Sequence, residues 1–273
     1  MTTHTVSGLP DLTHVVAEQR HPLLFATVSG AHLYGFPSRD SDVDLRGVHL
    51  LPLREVLGLT PAQETRTRMW DADGLEMDLV THDLAKFARL LLRPNGYVLE
   101  QLLSPLVVHT TPEHTALVDL APRLLTRHHA RHYRGFAKTQ WRLFGKSGEL
   151  KPLLYTFRVL LTGIHLMRAH EVQADLPALL DAVRAPEYVR DLVAAKAAAE
   201  HGLLSLLDGA PSYERLAADV EALHAALDEA ERSTVLPERS DAGADLNELV
   251  VRTRLRSGAA PAPDHGSGLP RQP

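Results

Sequence analysis

Short apolar runs occupy the first third of the chain, and helical periodicity dominates the rest. Leu23-Leu24-Phe25-Ala26-Thr27-Val28 is apolar almost throughout and reads as a buried strand. Val43 to Leu51 reads as a second strand, closed by Pro52. Arg66–Met69 and Leu75–Val80 read as the arms of a hairpin, with Asp71-Ala72-Asp73-Gly74 as its turn. Short helical pieces lie around these strands. They are Asp11 to Gln19 with Asp11 as N-cap, Pro52 to Leu59 stopped by Gly58, an amphipathic His82–Leu92 capped near Thr81 or Asp83, and Asn95 to Leu103.

From Pro122 the composition shifts. Arg123 to Phe144, Lys151 to His170, Pro186 to Leu207 and Ser212 to Glu231 read as helices, and Asp245 to Leu255 as a shorter one. The Gly, Ala, Pro and Ser run from Ser257 reads as disordered. The pattern divides the chain into a first domain at 1–120, a helical domain at 121–256 and a tail at 257–273. The expected class is α/β (α+β), a small sheet with an added helical half.

The chain has 273 residues, and its 44% hydrophobic content suits a globular protein with a substantial core. With no cysteine, disulfides and thiolate metal sites are excluded. No apolar run reaches the roughly 18 residues of a membrane span. Met1 to Asp11 lacks the basic-then-apolar order of a signal peptide, so the expected location is the cytoplasm. A formal charge of -5 argues against non-specific nucleic-acid binding by the whole surface and leaves local patches open.

Candidate chemistry concentrates between Ser29 and Val48. Side chains alternate along a strand, so Asp42 and Asp44 share one face while Val43 and Leu45 point into a core. Two adjacent carboxylates repel, and a divalent cation with a taste for hard oxygen ligands, such as Mg²⁺, relieves the repulsion. Gly30 and Gly35 allow backbone N–H groups to approach a phosphate. An EF-hand at Asp40-x-Asp42-x-Asp44 is excluded, because Leu45 stands where that loop needs glycine and Leu51 where it needs glutamate. An isolated Asp-x-Asp pair also occurs in solvated turns. The specific signal is the combination of strand, glycine turn, spacer and Asp-x-Asp-x-Arg-Gly.

Gly30, Tyr34, Gly35, Ser41, Asp42, Asp44, Arg46 and Gly47 together resemble the signature of nucleotidyltransferases of the DNA polymerase β superfamily. The likeness is to a branch partly associated with RNA-repair genes, whose pattern runs Gly-Ser-x-Ala-Tyr-Gly, a short spacer, then Ser-Asp-x-Asp-x-Arg-Gly. Ala31 stands where that branch usually has a serine that contacts nucleotide phosphates, and Ser29 lies just before the glycine. The resemblance continues more diffusely through Lys86-Phe87, Leu90, Asn95, Leu99-Glu100, Leu102-Leu103 and Lys151-x3-Tyr155-x2-Arg158-x-Leu160-Leu161.

It implies a polymerase-β-like fold with a mixed sheet. It also implies metal-dependent transfer of a nucleoside monophosphate from an NTP, with ATP expected, to an acceptor hydroxyl. Asp42 and Asp44, with a third carboxylate on a later strand, would hold two Mg²⁺ or Mn²⁺ ions. Asp78, between Met77 and Leu79, fits that third place best, and Glu76 is the alternative. Ser29, Gly30, Tyr34, Lys151 and Arg158 would meet the nucleotide. Lys151 and Arg158 would suit its phosphates, or could pair with Glu149 or Glu171. Asn95 and Glu100 could touch substrate, but the favoured reading is that they cap helices or bind backbone.

Arg123, Arg127, Arg131, Arg134, Lys138, Arg142 and Lys146 recur at spacings of three and four, with no acid before Glu149 and with Trp141 beside them. A solvated face is the plain reading, but such faces usually mix charges. A one-sign stripe suggests a polyanion, and the expected acceptor is an RNA end along Arg123–Lys146 with Trp141 free to stack on a base. His128 and His132 share a helix face, but no further zinc ligand is evident. Two other functions stay open: nucleotidylation of a partner protein in the manner of an antitoxin, and a non-catalytic nucleotide- or RNA-binding domain.

Overall fold

Residues 2–6, 8–38, 41–72, 74–198 and 202–258 are described by the computed structural model. The strands in chain order are β1 (Thr2–Thr3), β2 (Leu23–Val28), β3 (Val43–His49), β4 (Thr65–Ala72), β5 (Leu75–Asp83) and β6 (Val107–Thr110). They form one mixed sheet in the order β1-β6-β2-β3-β5-β4. β2 is buried at every position, because a run without a polar face has no side to give to water. β3 runs antiparallel to β2 and parallel to β5, and β4 pairs with β5 as a hairpin. The hairpin turn is held where the Gly74 N–H donates to Asp71 Oδ1 at 2.9 Å.

The helices are α1 (Thr13–Ala17), α2 (Gly30–Tyr34), α3 (Leu53–Leu57), α4 (Leu84–Leu91), α5 (Gly96–Leu102), α6 (Pro112–Leu124), α7 (His129–Ser147), α8 (Leu150–Ala169), α9 (Leu176–Ala182), α10 (Tyr188–Ala198), α11 (Tyr213–Ser233) and α12 (Gly243–Gly258). α8 is apolar around most of its circumference and is accordingly buried among α7, α9, α10 and α11. One continuous apolar cluster runs from Phe25 and Phe87, under the sheet, through Tyr133 and Phe157 to Leu216 and Leu246. A smaller cluster on the other sheet face contains Val15, Val43, Leu45, Met77 and Leu79. α12 packs back on α3, α4 and α6. There Arg254 donates to the buried Asp83 carboxylate (Nη2 to Oδ2, 2.6 Å) and to the Leu51 carbonyl (3.1 Å). Among the described residues no helix is long and apolar enough to cross a membrane.

Several helix boundaries differ from the sequence expectation. The helix expected from Arg123 to Phe144 is broken: α6 ends at Leu124 and α7 begins at His129. Leu125 is extended and buried, and His129 Nδ1 lies 3.0 Å from the Thr126 carbonyl oxygen, so apolar anchoring and a local turn override the charge period. The helix expected over Pro186–Leu207 is also divided. α10 is followed by a separate 3-10 turn at Leu204–Leu206, tied to the α7–α8 corner by Leu150 N–H to the Gly202 carbonyl and Leu204 N–H to the Gly148 carbonyl. α12 extends through Ser257, where the tail was expected to begin, and 259–273 lie outside the described residues. β6 was not anticipated, and its four residues are too few to show a period.

A β-carbon on Gly47 would lie 2.5 Å from the Phe25 carbonyl oxygen, whereas one on Gly135, on the exposed side of α7, would meet nothing within 4 Å. Gly47→Ala is therefore expected to lower unfolding stability by about 1–3 kcal/mol through overpacking. Gly135→Ala should raise it by roughly 0.5–1 kcal/mol through helix propensity. Urea unfolding of the two variants checks both signs.

Candidate active site

The parallel register of β3 and β5 places Asp44 directly opposite Asp78. Asp42 lies one residue before β3 begins, and its charge acts on Asp44. Glu76 lies one pleat before Asp78, ahead of the point where the β3–β5 ladder starts at Val43 and Met77. Asp78 is thus the carboxylate brought beside Asp44. Burial raises the pKa of Asp44 above the usual carboxylate range. The charges of Asp78 and Asp42 push the same way, while Arg46 and Lys151 pull it back.

Arg46 follows Asp44 on the same strand face. Its Nη2 donates to Asp44 Oδ1 at 2.6 Å and to Asp78 Oδ2 at 2.8 Å. Among the described residues no three His, Asp or Glu side chains are gathered as a ready metal cage, and a guanidinium lies between the Asp44 and Asp78 carboxylates.

The glycine turn is built against Asp44. Ser29 N–H donates to the Asp44 carbonyl at 2.8 Å, and the Ser29 hydroxyl is buried without a hydrogen-bond partner. Gly30 has φ +63, and a β-carbon there would fall 1.8 Å from Asp44 Oδ2. Only glycine permits both the left-handed backbone and the close approach. Gly35, with φ +80, caps α2 and packs against Asp175 at the start of α9, which joins the turn to the helical half.

A cavity of about 440 Å³ opens beside this turn. Gly30, Tyr34 and Asp44 line one part of it, α5 contributes Asn95 and Glu100, and Phe136 of α7 and Tyr155 of α8 add ring faces. Arg158 is 1% exposed, its Nη1 lies 3.2 Å from Glu100 Oε1, and its guanidinium carbon sits 3.6 Å above the Tyr34 ring. Arg158 therefore pairs with neither Glu149 nor Glu171. The capping expectation for Asn95 and Glu100 is corrected as well. Asn95 occupies the N-cap of α5 without making a cap bond, and Glu100 is buried as the counter-charge of Arg158. Lys151 lines a neighbouring cavity of about 500 Å³ that shares Tyr155 with the first.

The basic stripe looks different in three dimensions. Arg123 pairs with Asp241 and Asp245, and Arg134 with Asp228 and Glu231, while Arg127 donates to the Glu231 carbonyl. The missing acids come from α11, from α12 and, for Asp241, from the loop just before α12. Arg131, Lys138, Arg142 and Lys146 remain exposed. Trp141 is stacked on Tyr213 with ring centroids 5.4 Å apart, so that side of the indole is already covered. One further residue near the site had no signal in the sequence. Lys196 of α10 is fully buried and donates to Ser38 Oγ at 3.0 Å, in the loop that leads to Asp42.

Comparison with known proteins adds the family. Residues 6–252 match the model of RlaP, the RNA repair pathway DNA polymerase beta family. The chain belongs to that family. An uncharacterised protein of Methanocaldococcus jannaschii is 32% identical over 158 residues, 56% of this chain and 63% of that protein, so the match spans less than two-thirds of the relative. A nucleotidyltransferase-like protein from Exiguobacterium sibiricum 255-15 superposes with a TM-score of 0.30 at 16% identity, covering 89% of this chain and 78% of that one.

Removing one partner of a buried ion pair leaves an uncompensated charge, which costs about 3–5 kcal/mol. Glu100→Gln is expected to lower stability by an amount of that order, while Glu149→Gln should leave it nearly unchanged. Thermal unfolding of the two variants checks the pairing.

Proposed function

We propose that this RlaP-family protein transfers a nucleoside monophosphate from an NTP, ATP in the first instance, to an acceptor hydroxyl and releases pyrophosphate. The observation that carries the reading is Asp44, which lines a cavity walled by aromatic rings, with Asp78 directly opposite it on the adjacent strand. The donor set suits Mg²⁺ or Mn²⁺: hard carboxylate oxygens side by side, with a cationic group already drawn between them. Asp42, Asp44 and Asp78 would hold the ions. Such ions, when bound, neutralise the triphosphate and make the acceptor hydroxyl easier to deprotonate.

The chain itself positions and excludes. Gly30 leaves room for the Asp44 carboxylate, whose Oδ2 fills the place a β-carbon would take. Ser29 anchors that turn to β3 through its N–H. Lys151 brings a positive charge to bear on Asp44 and is the candidate phosphate contact. Tyr155 and Phe136 offer ring faces to a base. Arg158 contributes by fixing Tyr34 in the cavity wall, since its guanidinium is already held by Glu100 and that ring.

The acceptor in this reading is an RNA end. Membership of an RNA-repair family supports it, as do the exposed Arg131, Lys138, Arg142 and Lys146 on the helix that also carries Phe136 to the cavity. Arg123, Arg127 and Arg134 drop out of the path because their charges are engaged within the fold.

The decisive experiment is incubation with each NTP, labelled at the α-phosphate, and Mg²⁺ or Mn²⁺, with RNA and protein extract offered as acceptors. Label is expected on RNA, and Asp44→Asn should abolish it. Label on protein instead would make the chain a protein nucleotidylase, and nucleotide binding without any transfer would make it a binding domain. Asp78→Asn is expected to lose turnover while keeping NTP affinity, whereas Lys151→Ala should weaken NTP binding roughly tenfold or more. Each phosphate contact releases counterions, so RNA binding should fall steeply with salt. Charge reversal at Arg131 and Lys138 should flatten that slope without changing NTP affinity.

A further inference from the structure

Arg46 is the most extensively bonded side chain at the site, and the transfer as described above gives it nothing to do. Nη2 bridges Asp44 Oδ1 (2.6 Å) and Asp78 Oδ2 (2.8 Å). Nη1 donates to the Asp78 carbonyl (2.8 Å) and the Leu45 carbonyl (3.1 Å), and Nε donates to the Tyr97 hydroxyl (3.1 Å). The residue is 7% exposed. A carboxylate oxygen accepting a short charge-assisted hydrogen bond has committed a lone pair that a cation would otherwise use. A guanidinium does not deprotonate in a protein, so it cannot make way for a cation by losing its charge. Arg46 therefore holds one oxygen of each carboxylate, and a divalent ion drawn to the same pair meets a fixed positive charge there.

We propose that Arg46 is a built-in counter-cation, which clamps Asp44 to Asp78 in the metal-free protein and must release them before divalent ions can load. The inference rests on the reading of Asp44 and Asp78 as metal ligands. It has a consequence for the order of binding. An ion arriving alone meets a clamp that is already neutralising the pair. An ion arriving with a triphosphate brings the negative charge that balances a displaced guanidinium. Opening moves the planar guanidinium as one body, so its bonds from Nη1 to the two backbone carbonyls and from Nε to the Tyr97 hydroxyl must shift together with those from Nη2. Tyr97 is itself partly exposed at the cavity and can follow the guanidinium.

The test is titration of Mn²⁺ into the full chain, with free ion followed by electron paramagnetic resonance, in the presence and absence of a non-hydrolysable ATP analogue. Wild type should bind Mn²⁺ weakly alone and more tightly with the analogue. Arg46→Met should bind Mn²⁺ alone roughly tenfold or more tightly than wild type, and should lose most of the dependence on nucleotide. Arg46→Met also removes a buried charge that the fold uses. Tyr97→Phe, which deletes only the hydroxyl on Nε, serves as the second variant and should tighten binding of Mn²⁺ alone roughly twofold or more. Equal or weaker Mn²⁺ binding in Tyr97→Phe and in folded Arg46→Met overturns the clamp while leaving the metal site standing. Absence of Mn²⁺ binding by wild type with the analogue present overturns the metal site, and the clamp with it.

Discussion

Asp44 and Asp78 are set side by side by a parallel strand pair, and like charges directly opposite one another work against that pairing. Much of the first half of the molecule can be understood as the structure that tolerates this opposition. Val43, Leu45, Met77 and Leu79 alternate with the acidic positions and bury the reverse face of the same strands, so apolar packing holds the register against the repulsion. On the acidic face Arg46 supplies a charge between the two carboxylates. The glycine turn adds a third restraint. The Asp44 carbonyl receives the Ser29 N–H, and the absent side chain of Gly30 leaves its carboxylate room.

The helical half contributes rigidity as well as surface. Arg158 lies in the middle of α8, with Glu100 on one side and the ring of Tyr34 stacked against it. That contact ties three elements together at one buried charge: the helix after the glycine turn, α5 and α8. A buried pair of this kind is a poor source of net stability but a strong constraint on geometry, because neither partner can leave without stranding the other. Tyr155 extends the same arrangement, meeting Tyr34 and Phe36 edge-on. The cavity wall is therefore keyed to the strand loop that carries the acids.

What was legible in the sequence follows from the range of the forces involved. β2 and the start of β3 are visible because strand burial is written at every second residue or in an unbroken apolar run. Asp78 could be singled out because its apolar neighbours reveal which face it is on, and the resemblance to a nucleotidyltransferase family said what such a face is for. The role of Arg46 could have been suspected, since it stands two residues from Asp44 and so shares its face. The charge stripe misled for the opposite reason. The acids that engage Arg123 and Arg134 are Asp228, Glu231, Asp241 and Asp245, and nothing local to the stripe announces them. Glu100 and Arg158 are 58 positions apart, and Lys196 reaches back 158 positions to Ser38, so neither contact has a periodic signature.

The contact between α12 and the first half bears on how the protein is made. Asp83 is wholly buried, caps α4 and accepts from the Leu51 N–H, yet the cation that balances it, Arg254, is encoded 171 residues later. During synthesis the sheet and its acidic residues emerge long before that partner exists. At translation rates of about 5–20 residues per second, the interval is on the order of 10–30 s. Throughout it the nascent sheet carries a carboxylate without its permanent counter-charge, and α3, α4 and α6 lack the helix that covers them. The first half is thus completed only after α12 has been made, 171 residues beyond Asp83.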